Sequence, residues 1–227
     1  MDKGILYIAF GEKAKNEVYK SYASVRMFSD CDAVVIGDAP PVKKMEYIRW
    51  GHGDRLYNGR GDFLNGEVKP FLCKFTPFDW TLYLDADTTV LQDIMPGFDF
   101  LIKADLCVAT HYDNKTIEDV NKMDVERDAT IAMVGKNVPL INTGVMFFRK
   151  NDAIKILFDT WYEEWQEHRI LGGSKEWDDQ LALHRAIYRL PGVRVNYMPE
   201  KWNQKFKNKD TIIWHEMGSA KAQKERM

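Results

Sequence analysis

Cysteine is scarce in this chain: Cys31, Cys73 and Cys107 are the only three in 227 residues, an odd number with no Cys-x-x-Cys spacing. That excludes a disulfide-stapled scaffold and a cysteine-built zinc site, and it predicts buried thiols in a reducing compartment. Net charge is also small, -2 from 32 basic and 34 acidic residues, so no nucleic-acid partner is expected. No apolar run reaches the length of a membrane span, and the start, Met1-Asp-Lys-Gly-Ile-Leu-Tyr7, lacks the form of a secretory signal. Internal repeats and low-complexity stretches are missing as well. What remains is ordinary globular composition, 45% hydrophobic and 29% charged, expected to fold as one cytoplasmic domain over residues 1–227 with no transmembrane segment.

Apolar runs at Gly4–Phe10, Ala33–Gly37, Trp80–Leu84, Asp105–Thr110 and Leu140–Arg149 read as strands, with shorter ones at Met45–Trp50, Val193–Met198 and Thr211–His215. Helical spacing is predicted over Val18–Phe28, Lys69–Phe78, Ala153–His168 and Asp178–Arg189, with Pro70 suited to a first turn. Trp50–Gly66, with five glycines, reads as a loop, and polar His111–Asn137 as a loosely packed excursion. Alternating strands and helices predict an α/β fold with a mainly parallel central sheet flanked by helices.

The run Trp80-Thr-Leu-Tyr-Leu-Asp85-Ala86-Asp87 carries the chemistry. Two residues apart in a strand, Asp85 and Asp87 point to one face, and two neighbouring carboxylates repel unless a cation sits between them. The carboxyl end of a parallel strand is where α/β sheets place ligands, and a divalent metal suits that spot. Taken alone, Asp-x-Asp is also what a solvated strand end looks like. His52, His111, His168 and His184 have undistinguished settings, whereas His215 ends the apolar run Ile212-Ile213-Trp214 and begins His215-Glu-Met-Gly218-Ser-Ala-Lys221. An imidazole there can complete a metal site, Gly218 lets backbone approach a phosphate, and Lys221 adds positive charge. Two oxygen ligands suit Mn²⁺ or Mg²⁺, and the imidazole tilts the choice to Mn²⁺.

Leu82-Tyr-Leu-Asp85-Ala-Asp87 and the late His-x-x-Gly-x-x-Lys make the chain resemble the family-8 glycosyltransferases, the group with glycogenin and bacterial lipopolysaccharide galactosyltransferases. Three further matches fall in the family's order: Lys69 before the strand, Asn142-Thr-Gly144 after it, and Asp179-Gln180 opening a later helix. The resemblance implies a GT-A nucleotide-diphospho-sugar transferase fold and hexose transfer from a UDP-sugar, with retention. It implies Mn²⁺ on Asp85, Asp87 and His215, with Ala86, Gly218 and Lys221 beside the diphosphate and Tyr7, Ala9 and Phe10 near the base. Asn142, Asp179 and Gln180 would meet the sugar, and Lys69 would pair with the acidic cluster or reach the sugar–diphosphate. Residues 1–110 would form the nucleotide-binding half and 111–227 the acceptor and sugar half, with the metal-binding C-terminal segment. Where the family has Pro-Trp after the lysine, this chain has Ala222-Gln223.

Glycan, lipid-linked and protein acceptors all fit. Seven basic residues against three acidic ones between Lys201 and Met227 read as a solvated tail, or as a surface for phosphates or an anionic membrane. Trp161, Tyr162, Trp165, Trp177 and Trp202 read as core or as a sugar-stacking platform. A sugar-1-phosphate nucleotidyltransferase would need a glycine-rich loop after the first strand, where this chain has one glycine, Gly11. A metal phosphohydrolase would need a nucleophilic aspartate or a second metal set, and the sequence presents neither. A non-catalytic nucleotide-sugar-binding protein is the remaining alternative, against which the intact Asp85, Asp87 and His215 argue.

Overall fold

The computed structural model describes residues 1–38, 45–49, 68–111, 113–120, 124–172 and 179–216. The apolar runs assemble into a seven-stranded sheet of β1 (Lys3–Ala9), β2 (Asp32–Gly37), β3 (Glu46–Arg49), β4 (Trp80–Leu84), β6 (Leu106–Thr110), β7 (Ile141–Arg149) and β8 (Val195–Met198). Its order is β3-β2-β1-β4-β7-β6-β8, and a separate two-stranded sheet pairs β5 (Thr88–Val90) with β9 (Ile213–His215). Pairing is parallel from β3 through β4 and again between β6 and β8, while β7 runs antiparallel to both neighbours. The helices are α1 (Gly11–Val25), the single turn α2 (Leu72–Phe75), α3 (Asp124–Val134), α4 (Asp152–Gly172) and α5 (Asp179–Arg189).

Strands buried on both faces need apolar residues at successive positions, which explains the unbroken runs. Along β1, Leu6 and Ile8 face one side with Val34, Ile36, Tyr83 and Met146, beneath α4 and α5. Ile5, Tyr7 and Ala9 face the other with Val35, Leu82, Leu84 and Phe147, beneath α1. Most of the aromatics considered for a sugar platform belong to the core: Trp161 and Trp165 are buried on one face of the sheet with Tyr162 packed against them, and Trp202 is buried on the other. Trp177 lies outside the described residues.

Three elements depart from the pattern expected of them. The first helix starts at Gly11 rather than Val18 and stops at Val25. Its polar first turns form a solvated face carrying the Glu12–Lys15 and Lys13–Glu17 ion pairs. The helix expected over Lys69–Phe78 is a 3-10 turn at Lys69–Phe71 followed by α2. It stops because Thr76, with ψ 130°, is extended, as the residue before Pro77 is driven to be.

The polar stretch from His111 to Asn137 is not loose, for it contains a 3-10 turn at Ile117–Asp119 and α3. Ile131 and Val134 pack there with Ile117, Val120, Leu140 and Leu181. The fully buried Arg185 donates hydrogen bonds to Glu164 (2.8 Å), Thr130 (2.6 Å) and Glu126 (3.1 Å), tying α3, α4 and α5 together. Trp50–Gly66 falls outside the described residues. All three cysteines are free and buried, and burial pushes the thiols of Cys31 and Cys73 up to about 11 and that of Cys107 up to about 12. Among the described residues no helix is long and apolar enough to cross a membrane.

His184 is a core residue whose Nε2 accepts the backbone N–H of Ile141 at 3.1 Å, which requires that nitrogen to be unprotonated. Burial, reinforced by the charge on Arg185, lowers its pKa from 6.5 to about 4. A folded pKa below the unfolded one stabilises the protein above pH 6.5, and that stability is lost as pH falls toward 4. The loss amounts to about 3 kcal/mol. His184→Gln removes the titration, so in chemical unfolding at pH 7 and pH 4 the wild type should lose that much more stability than the variant.

Candidate active site

The site forms where strand ends from both halves of the chain meet. β1 and β4 run parallel and finish at one edge of the sheet, and the antiparallel β7 brings its first residues to the same edge. There the β6–β7 register jumps: Val108 pairs with Met146, but Ala109 pairs with Asn142. Thr143, Gly144 and Val145 are extra residues in β7 at this point, a bulge of the kind that re-aims side chains. Asn142-Thr-Gly144 is therefore both a strand irregularity and part of the cleft wall. The cleft has a volume of about 480 Å³ and is lined by Lys69, Asp85, Ala86, Asp87, Asn142, Asp179, Gln180 and His215, together with Ile8, Ala14, Glu17, Tyr83, His111, Thr143 and Gly144.

Asp85 and Asp87 do not lie in a strand, so strand alternation is not what brings them together. β4 ends at Leu84, and both carboxylates belong to the turn before β5. The turn is closed by Thr88, whose hydroxyl donates to the carbonyl of Asp85 at 2.8 Å. The β5–β9 ladder pairs Thr88 with His215, and Glu216 N–H donates to the Asp87 carbonyl at 3.0 Å. His215 Nε2 thus sits 3.0 Å from Asp87 Oδ1 and 3.6 Å from Asp85 Oδ2. One ligand atom from each of the three lies within 4.8 Å of the other two. Neighbouring ligands of a small octahedral cation at ~2.1 Å stand about 3 Å apart, so these side chains fit a divalent ion with little movement. Two carboxylate oxygens and one imidazole nitrogen are a donor set that Mn²⁺ accepts.

Beside this triad is a second charged cluster. Lys69 is buried, its ammonium 3.2 Å from Asp85 Oδ1, 3.1 Å from Asp179 Oδ2 and 3.1 Å from the Thr143 hydroxyl. Burial opposes its charge, but Asp179 and Asp85 more than offset that, and its pKa lies above the ordinary lysine range. Thr143 Oγ1 donates to Asp179 Oδ2 at 2.6 Å, and the Trp161 ring N–H holds the Asp179 carbonyl at 2.7 Å. Tyr83 donates to Asp85 Oδ1 at 2.5 Å, and its own pKa is raised by burial and then by the charge on Asp85. Burial and the charge on Lys115 lower the pKa of His111 on the cleft wall.

The residues expected near a base, Tyr7, Ala9 and Phe10, separate differently. Period two in β1 turns Tyr7 and Ala9 to the α1 face, where both are fully buried, and Tyr7 pairs with Ser21 at 3.0 Å. Phe10 is buried in the opposite cluster, and Ile8 is the β1 residue lining the cleft. Gly218 and Lys221 lie outside the described residues. Sequence reasoning did not select Tyr83, Thr143 or His111, which line the cleft, or Asn203, which hydrogen-bonds His215 Nδ1 at 2.9 Å; side chains that matter through contacts made only in three dimensions leave no spacing pattern.

Gly144 shows how tightly the site is built. A Cβ there would lie 2.1 Å from His215 Cε1, 2.6 Å from its Nδ1 and 2.9 Å from Asp85 Oδ2. Gly144→Ala must displace the imidazole by about 1 Å, so Mn²⁺ affinity should fall about tenfold or more while the far-UV circular dichroism stays the same.

A sequence profile of the family described as nucleotide-diphospho-sugar transferase matches residues 81–221, a span that begins in β4 and ends on Lys221. No curated protein sequence matches the chain. Among solved structures, the galactosyltransferase LgtC in complex with donor and acceptor sugar analogs is similar with a TM-score of 0.67 and 16% identity, over 95% of this chain and 86% of that one. Mouse xyloside xylosyltransferase 1 in its apo form has a TM-score of 0.62 and 11% identity, over 95% of this chain and 97% of that one. The glycosyltransferase GlyE of Streptococcus pneumoniae TIGR4 has a TM-score of 0.59 and 12% identity, over 94% of this chain and 55% of that one. At such identities these likenesses establish the fold, which is the GT-A arrangement.

Proposed function

This chain belongs to the nucleotide-diphospho-sugar transferase family, and from that premise we propose that it transfers a hexose from a UDP-sugar to an acceptor, with retention, using Mn²⁺ held by Asp85, Asp87 and His215. The observation that carries the proposal is the convergence of these three ligand atoms within 4.8 Å in a cleft shared with Lys69, Asn142 and Asp179. Mg²⁺ is the second candidate ion. When bound, the cation carries part of the negative charge that builds on the departing nucleoside diphosphate.

The chain's own residues divide the rest of the work. Ala86, Gly218 and Lys221 are assigned to the diphosphate, and the end of β1 with the start of α1 to the base, Ile8 supplying the side-chain surface there. Asp179 and Gln180 at the start of α5, with Asn142 opposite, are assigned to the sugar hydroxyls. Asp179 also places negative charge on the wall where an oxocarbenium-like sugar would need it. Lys69 aims Asp85 toward the cation and Asp179 toward the sugar, so it acts by positioning both. On this reading residues 1–110 form the nucleotide half and 111–227 the sugar and acceptor half, in one domain. The metal site draws Asp85 and Asp87 from the first and His215 from the second. A glycan, lipid-linked sugar or protein supplies the accepting hydroxyl in the cytoplasm, and the basic run after Lys201 permits peripheral contact with an anionic membrane.

The test is UDP release from UDP-hexoses with Mn²⁺ present. Asp87→Asn and His215→Ala should each lower metal-dependent release by about 100-fold or more while the far-UV circular dichroism still shows the folded protein. Turnover equal to wild type in either variant contradicts the proposal.

A further inference from the structure

Behind His215, away from the cleft, lies an amide that no motif marked. Asn203 is fully buried. It follows the 3-10 turn Glu200–Trp202 and is anchored by its N–H to the Glu200 carbonyl at 2.9 Å. Its Nδ2 lies 2.9 Å from Asn142 Oδ1 and its Oδ1 lies 2.9 Å from His215 Nδ1.

The directions of the hydrogen bonds linking Gly144, Asn142, Asn203 and His215 follow from one backbone group. Gly144 N–H can only donate, and it donates to the Asn142 side chain at 2.9 Å, so the atom it meets is the carbonyl Oδ1. The Asn203 atom facing that oxygen must then be the donor Nδ2. The backbone carbonyl of Asn142, 3.5 Å from the same Nδ2, requires the same orientation. Asn203 therefore presents its carbonyl oxygen to His215, and His215 Nδ1 must carry a proton to meet it. In the neutral ring that leaves Nε2, which faces the Asp85–Asp87 turn 3.0 Å from Asp87 Oδ1, as the nitrogen open to a cation.

We propose that Asn203 is a positioning residue that fixes His215 as the Nδ1–H tautomer and so reserves Nε2 for a divalent cation. The cation is that of the metal site proposed above, on which this inference rests. A hydrogen bond from the far nitrogen of a ligating histidine orients the ring and makes the near nitrogen a better ligand. The same relay joins Asn142 on the bulge to the metal side of the cleft, so that β7, the Glu200–Trp202 turn and β9 share one hydrogen-bonded chain.

The test uses the full-length protein. Long-range ¹H–¹⁵N NMR of the metal-free protein, with His215 assigned by loss of its signals in His215→Ala, should show the proton of the neutral ring on Nδ1. Mn²⁺ titration followed by electron paramagnetic resonance should give an affinity about 10- to 100-fold weaker for Asn203→Leu. Asn203→Asp keeps an acceptor for Nδ1–H, so it should retain the tautomer and bind more tightly than the leucine variant. A neutral wild-type ring that carries its proton on Nε2, or equal Mn²⁺ affinity in wild type and Asn203→Leu, overturns the inference. Should the leucine variant fail to fold, the wild-type tautomer alone decides. A wild type that binds no Mn²⁺ overturns the metal reading, and an Nδ1–H tautomer lost in Asn203→Leu then still supports the role of Asn203.

Discussion

Lys69 carries its ammonium group between Asp85 and Asp179, 3.2 and 3.1 Å away, and among the described residues no other lysine or arginine is paired with either carboxylate. Removing one partner of a buried charge cluster costs about 3–5 kcal/mol, because the charges left behind have lost their solvent as well as their counter-ion. The rest of the cleft depends on that pairing. It pins the Asp85 carboxylate at the end of β4 and the first turn of α5 against the β7 bulge. Thr143 completes the bond to Asp179, and Tyr83 completes the bond to Asp85. The same pairing separates the Asp85–Asp87–His215 cluster from Asp179.

The Asp87–His215 contact is built by different means. Asp87 and His215 are 128 residues apart and meet because β5 and β9 pair antiparallel beyond the main sheet. Behind the ligands, Asn203 and the Gly144 backbone leave the imidazole little freedom. Ligands held this way lose little entropy when an ion binds, and charge placed in advance need not reorganise as a bond breaks. A family whose members transfer sugars from nucleoside diphosphates needs both properties at the leaving phosphate.

Much of this was legible in the residues, for identifiable reasons. Strands buried on both faces must be apolar throughout, so β1, β2, β4 and β7 announced themselves. Asp85, Asp87, His215, Lys69, Asn142, Asp179 and Gln180 were selected by type and order, and all of them line one cleft. The direction of β7 could not be read, because an apolar strand looks alike parallel or antiparallel. Strand alternation was the wrong reason for pairing Asp85 with Asp87, since the turn after β4 and the β9 ladder do that work. Of the stretch Tyr7–Gly11 expected near a base, Ile8 lines the cleft while Tyr7 and Ala9 are buried on the opposite face of β1, because successive strand residues alternate faces. The segment after His111 looked too polar to pack, because Arg185, Glu164 and Glu126 satisfy one another only in three dimensions. Asn203 was invisible for the same reason: its meaning lies in which atom of its amide faces His215.

The central claim is that Asp85, Asp87 and His215 form one metal-dependent site for a nucleoside diphosphate. Calorimetric titration of UDP into the protein, with Mn²⁺ and again with EDTA, tests it most directly. The account predicts saturable binding with Mn²⁺ that disappears on chelation. Binding of equal strength in both conditions, or none in either, would contradict it.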